Sequence, residues 1–281
     1  MRVTFWGTRG SIATPGPETD HYGGNTSCVA VMGAEGTALV LDAGTGIRRL
    51  GTSFPRSVRR IDLLLTHLHM DHIQGLGFFA PLFNPEMEVH IWGPASTTLS
   101  LEVRLSRYLS PPLFPVLLRE LPCKLTLHEV PCADYQIGEF AVSCALVCHP
   151  GPTVGYRISS QHAALAYLPD HEPSMGLADE LFPLAPDWTS GYALANGVDL
   201  LIHDGQYTDD EYTKHIGWGH SSLGQAIKFA SLAKVKRLVL FHHDPTHDDS
   251  ALDELVDGFN ASAKRSFGVA VAAEGSSYDL P

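Results

Sequence analysis

The chain of 281 residues has no stretch near the roughly eighteen consecutive apolar residues that a membrane-spanning helix needs. Its opening, MRVTFWGTRGS, also lacks the apolar segment of a secretory signal and reads as a strand running into a turn. A cytoplasmic protein without membrane contact is the expectation. Cysteine is sparse: Cys28, Cys123, Cys132, Cys144 and Cys148 are odd in number and contain no CxxC pair, which removes a disulfide framework and a thiolate zinc site. They are expected as small core residues. Positive charge is short as well. With 19 lysines and arginines against 31 acids, the net charge is −12 and no basic run offsets it. A long nucleic acid, held mainly by cationic contacts to phosphate, is therefore a poor expectation as a partner. No fixed-period repeat, low-complexity tract or dividing linker is present, so one domain over residues 1–281 follows.

Histidine is what the sequence has in excess, with 15 residues, and imidazole is the commonest metal ligand in proteins. Short aliphatic segments read as strands at 3–5, 28–32, 37–42, 61–66, 88–92, 140–148, 154–159, 163–168, 200–203 and 237–241. Helical patterns cover 46–53, 73–79, 221–233 and 250–265. The early strands pair through the GAEG turn at 33–36, and later strands alternate with helices, which predicts a layered α/β fold. Residues 81–122 differ in character, with prolines that interrupt helices and aromatics that are costly on a plain surface, and are expected as a lid-like insertion or wall. Within it, Tyr108 and Phe114 are candidates to stack on a base, with apolar packing the plainer account.

The run LLLTHLHMDHIQG, residues 63–75, ends an aliphatic strand with three histidines and an aspartate in six positions. His67 and His69, two apart at the strand end, project the same way and can share one ion, whereas Asp71 and His72 open the next helix and turn toward a second. The plain alternative is a polar loop with Asp71 as a helix cap. The THLHMDH run resembles the HxHxDH signature of the metallo-β-lactamase superfamily, and VCHPGPTVGYRI, ALAYLPDHE and LVLFHHDP follow in that family's order. The resemblance implies a four-layer αββα sandwich over nearly the whole chain. It also implies a two-metal centre, with His67, His69 and His149 on one ion, Asp71, His72 and His242 on the other, and Asp170 bridging. His243 competes with His242 for the last place. Imidazole and carboxylate donors suit zinc, the default, or manganese and iron. Such an ion pair makes hydroxide available near neutral pH and polarises a substrate oxygen. Its charge admits a small anion even in an acidic protein. Relatives of this kind often pair as dimers, so the resemblance makes a homodimer an expectation, although the sequence shows no independent seam for one.

The segments DLLIHDGQYTDDEY and GWGHSSLGQAIKFA resemble the HEATF-like and GHST-like segments of the ribonuclease Z branch, with Asp204 in place of a glutamate and His220 in place of the histidine. A carboxylate behind an imidazole favours its protonated form, so His220 is the candidate acid for a departing alkoxide, with Asp204 behind it and Asp71 and Asp170 positioning the nucleophile. Helix capping by His220 is the plain alternative, and the shorter aspartate puts the direct contact in question. An alkoxide benefits from an acid more than a thiolate or enolate does. The expected function is thus a dinuclear phosphodiesterase acting on a small anionic diester such as a cyclic nucleotide. A carboxylic ester, lactone or thioester hydrolase on the same centre is one alternative. A tRNA 3′-processing endonuclease is another, opposed by the acidic balance and by the lack of a long Gly/Pro/Lys-rich insertion to grip RNA.

The N-terminal FWGTRGSIATPGPETDHYGGNTSCVAV resembles the opening of bacterial members of this neighbourhood. Arg9 and Asn25 are candidates to face a phosphate, although turn formation explains the same glycines. Asp42 is expected to hydrogen-bond the histidine loop rather than to bind metal. His247, Asp248 and Asp249 read as a helix start. His171 faces either site or solvent, and His21, His90, His128, His162, His203 and His215 have no partner pattern.

Overall fold

The computed structural model describes residues 1–130, 133–173, 186–261 and 266–281; Cys132 and the last four residues of the expected C-terminal helix, 262–265, lie outside them. The first sheet holds β1 (Arg2–Gly7), β2 (Cys28–Met32), β3 (Ala38–Leu41), β4 (Arg60–Leu64), β5 (Glu88–Pro94) and β6 (Lys124–Val130) in sequence order. The second holds β7 (Asp134–Ile137), β8 (Phe140–Leu146), β9 (Val154–Ser159), β10 (Ala164–Leu168), β11 (Leu200–Asp204), β12 (Arg237–Phe241) and β13 (Gly268–Val271). The last strand, β14 (Ser277–Asp279), returns to pair with β1 and gives each sheet seven strands.

Alternation along the strands sorts side chains into layers. In β4, Leu63 packs outward, while Leu64 enters the layer between the sheets with Val3, Phe5, Tyr167 and Phe241. The central strands are buried on both faces, which is why ALAYL and RLVLF read as nearly unbroken apolar runs, while RIDLL keeps its buried Asp62 by pairing it with Arg60. Outside the first sheet lie α1 (Ile47–Leu50), α2 (Met70–Ile73) and α3 (Leu101–Tyr108), whose Ile47, Ile73 and Leu105 close one outer apolar layer. Outside the second lie α4 (Tyr192–Ala195), α5 (Asp209–Tyr212), α6 (Leu223–Leu232) and α7 (Asp249–Ala261), with Leu194, Ala226 and Phe229 in the other. Three apolar layers between four structural ones make an αββα sandwich. Among the described residues no helix is long and apolar enough to cross a membrane.

The segment 81–122 is partly sheet. β5 is hydrogen-bonded to β4 and β6 on its two sides, and its Val89 and Ile91 are fully buried. Of the rest, α3 begins at Ser100, whose side chain accepts the Val103 N–H, and Leu105, Leu109 and Leu118 anchor it to the outer layer. Phe114 packs on Phe78 at 5.9 Å, and the Tyr108 hydroxyl donates to the Gln74 carbonyl. The sequence reading passed over α3, the four-residue α4 and α5, and β6, β7, β13 and β14. α3 sits between proline-rich turns, and the four strands are sheet margins with mixed polar patterns, where periodicity is weakest.

Candidate metal centre

The residues singled out as metal ligands lie just past strand ends, in the loops that follow or on the short helix one of those loops enters. His67 and His69 follow β4, and Asp71 and His72 sit on the short α2. His149 lies in the loop after β8, Asp170 two residues beyond β10, and His242 one beyond β12. Open parallel sheets place ligands at the carboxyl ends of their strands. Two sheets meeting there give donors on both walls.

The ligand atoms of His67, His69 and His149 lie within 4.8 Å of one another, as do those of Asp71, His72, Asp170 and His242. Asp170 belongs to the second group and faces the first. Its Oδ2 is 3.7 Å from His67 Nε2 and 3.8 Å from His149 Nε2. Its Oδ1 is 3.0 Å from His72 Nε2 and 3.4 Å from His242 Nε2. One oxygen per cluster is the disposition a bridging carboxylate needs. Asp71 Oδ2 lies 3.0 Å from His242 Nε2 and accepts the Ser11 backbone N–H at 2.8 Å. It does not cap α2.

The ring nitrogens turned away from the cluster are mostly fixed, which sets tautomer and orientation. His72 Nδ1 is 2.8 Å from Asp42 Oδ2, His149 Nδ1 2.9 Å from the Gly219 carbonyl, and His242 Nδ1 2.9 Å from Gln206 Oε1. Asp42 is fully buried and also accepts from the Thr66 N–H and the Tyr167 hydroxyl. Asp42 and His242 both have positive φ, 58° and 62°, costly for residues other than glycine and sustained here by their hydrogen bonds. Two glycines give the rings room: a Cβ on Gly10 would lie 2.3 Å from His242 Nδ1, and one on Gly219 2.5 Å from His149 Nδ1.

These side chains fit a pair of divalent cations. His67 Nε2 and Asp170 Oδ1 are buried and make no hydrogen bond, a costly state for polar atoms without a ligand. The ion-pair partners of Asp71 and Asp170 among the described residues are imidazoles, with no lysine or arginine to balance two buried carboxylates. Burial, joined by the charge of His72, pushes the His67 imidazole well below its usual pKa and leaves it neutral, the form that binds metal. Burial opposes ionisation of Asp170, but His242 and His72 outweigh it and hold the carboxyl well below the usual range.

Beside this cluster, His220 Nδ1 lies 2.7 Å from Asp204 Oδ2. The shorter carboxylate reaches because β11 carries it to the sheet end, where Gln206 N–H and Ser221 N–H, each at 3.0 Å, bind its other oxygen. Helix α6 is capped by Ser222 with Gln225, so His220 is free of that task. Its ring stacks on His242 with centroids 5.0 Å apart and meets His149 edge-on at 5.0 Å. Burial draws the His220 pKa down, but Asp204 dominates and it is pushed up to about 9. Dications arriving beside it would draw it back toward neutrality.

Several expectations change. His243 turns away and its Nε2 meets the Ala272 carbonyl at 2.8 Å, leaving His242 alone of the pair at the cluster. Arg9 faces no phosphate: it is fully buried and donates to the carbonyls of Gly23, Asp244 and His247. Asn25 donates to Glu274. His171 faces neither site nor solvent but pairs, buried, with His203 at 2.9 Å. Asp248 accepts the Ala251 N–H at the start of α7, as a helix start should. Sequence reasoning missed Gln206 and Glu172. Glu172 is buried and accepts from the Tyr212 hydroxyl and from the N–H groups of Gly217 and Gly219. It thereby holds the loop that carries both the His149 acceptor and His220; a glutamate two residues past Asp170 was the only signal in the sequence.

A family model described as the beta-lactamase superfamily domain matches residues 37–243. The chain belongs to that superfamily. Within it, the chain is 27% identical to ribonuclease Z of Natronomonas pharaonis over 318 aligned positions, covering 100% of this chain and 98% of that protein. At least 37 of those positions face no residue here, since the chain has 281. Human tRNase Z, short form, shares the fold at TM-score 0.67 and 22% identity, each chain covered in full. A diphosphatase from the PhnP family does so at TM-score 0.70 and 18% identity, covering 100% of this chain and 98% of the other. Membership of this superfamily, with these relatives, makes the protein a metal-dependent hydrolase whose fold implies a dinuclear divalent centre.

Proposed function

We propose that the protein is a two-metal phosphodiesterase whose substrate departs as an alkoxide. The 2.7 Å contact between Asp204 and His220, beside seven clustered candidate ligands, carries this reading. A carboxylic ester, lactone or thioester hydrolase on the same centre has no comparable need for that pair. Five imidazoles and two carboxylates favour zinc, with manganese and iron as the other ions to test. Such a pair supplies a nucleophilic oxygen near neutral pH and draws charge from the phosphoryl oxygens.

The chain's own residues do the rest. Asp71, fixed by the Ser11 N–H, orients the nucleophile; His220 gives its Nε2 proton to the leaving oxygen; Asp204 stabilises the imidazolium until it does. As to the substrate, the ribonuclease Z relatives favour cleavage at an RNA 3′ end over the small diester that composition suggested. The small diester keeps one specific support: a net charge of −12 in a chain lacking at least 37 aligned positions of such a relative.

His220→Ala tests the reaction class. On a ribonucleotide diester the loss should be about 10²–10⁴-fold, and on bis-p-nitrophenyl phosphate, whose leaving group needs little help, far less. Equal losses, or turnover of lactones alone, would overturn the assignment. A panel of cyclic mononucleotides, cyclic dinucleotides and RNA with a 3′ trailer, tried with zinc-loaded and manganese-loaded protein, decides between the two substrate sizes.

A further inference from the structure

Two cavities open along α3 beside the metal centre. One, of about 260 Å³, is walled by His67 and His69 on one side and by Pro150 and Arg107 on the other. The second, of about 310 Å³, is walled by Met70, Ile73, Tyr108 and Leu113. They share Leu68, Arg104 and Arg107, so they are two chambers of one groove that starts at the candidate ligands.

The two arginines differ. Arg104 is committed to the fold: it donates to the carbonyls of Pro94 and Ser100 and lies 3.6 Å from Glu129. Arg107, one turn on in α3, is exposed at the junction of the chambers, and among the described residues no carboxylate or carbonyl holds it. None of the described residues lining either chamber is acidic, although the chain as a whole carries −12. The far chamber is apolar and open, with Met70 50% and Leu113 69% exposed.

We propose that this groove is a subsite for the nucleotide next to the scissile bond, Arg107 binding a second phosphate and the Met70–Leu113 chamber taking the adjoining base. The guanidinium fork matches a phosphate in charge and shape, and an apolar shelf beside a fixed tyrosine ring suits a base of any sequence. This rests on the phosphodiesterase reading and narrows it: the preferred substrate carries at least two phosphates, as a linear or cyclic dinucleotide or an RNA does and a cyclic mononucleotide does not.

The test uses the full, metal-loaded chain and dinucleotides with a terminal phosphate at the 5′ end, at the 3′ end or at neither. One of the phosphorylated forms should be preferred by about tenfold in kcat/KM, the scale of one charge-assisted contact, mostly through KM. Arg107→Gln should shrink that preference to within about twofold, and Leu113→Glu, at an exposed position, should weaken both phosphorylated forms by about tenfold. The same comparison by equilibrium binding, with a methylphosphonate at the cleavable position, reads the subsite without turnover. Cyclic dinucleotides run alongside separate a cyclic from a linear source of the second phosphate. No preference in the wild type, or a preference unchanged in Arg107→Gln, overturns the subsite. Absence of diester cleavage with phosphate-dependent binding intact overturns the phosphodiesterase reading instead.

Discussion

The two sheets are built to one plan and used in two ways. In each, three antiparallel pairings are followed by three parallel ones, so β3 and β4 in the first correspond to β10 and β11 in the second. Both β3 and β10 are followed within two residues by a buried aspartate. Asp42 sits behind the histidines and fixes one ring from the back, while Asp170 stands between the two clusters with one oxygen toward each. The strand after β3 delivers four candidate ligands in six residues; the strand after β10 delivers Asp204 and, through it, His220. The same strand-end position can therefore aim a ligand, act as one or arm a proton donor, and what differs is the loop attached to it.

That comparison breaks first if the two aspartates prove equivalent. Asp170→Asn should lose bound metal and at least about 10³-fold in kcat/KM, since the several kcal/mol a metal pair supplies is at stake; elemental analysis and turnover read both. Asp204→Asn should cost about 10²-fold on a ribonucleotide diester while metal content holds, as expected for loss of an acid rather than a ligand. Metal loss in that variant would place Asp204 among the ligands. Asp42→Asn should weaken metal affinity by about 10–100-fold, the usual effect of a hydrogen-bond partner behind a ligand, measured by competition with a chelator. Glu172→Gln keeps the shape but swaps an acceptor for a donor facing two N–H groups, so roughly tenfold should go, again mainly with poor leaving groups. At the small end, His128→Ala removes a ring stacked on Trp92 at 3.8 Å on the far part of the first sheet, and turnover should stay within about twofold.

Much of this was legible in advance where the signal was local. The HLHMDH run needed only a strand end and a helix start to become a cluster, and the aliphatic strands announced a layered α/β fold. The lone His149, Asp170 and His242 were recoverable only through resemblance to a family, because no spacing links residues brought together by sheets that pair far along the chain. His203 looked ordinary and Arg9 looked like a phosphate ligand for a related reason: partners such as His171 and the His247 carbonyl are distant in sequence.

By itself the sequence determined the donor chemistry, nitrogen and oxygen without sulfur, and the alternation that makes strands and buries them. Which oxygen of Asp170 meets which group of rings and which of His242 and His243 turns inward were decided only when two sheets packed face to face, and whether Asp204 reaches His220 only when the loop before α6 folded back on the end of β11. Those choices depend on hydrogen bonds of a few ångströms between segments a hundred residues or more apart in some cases, and no local pattern encodes them.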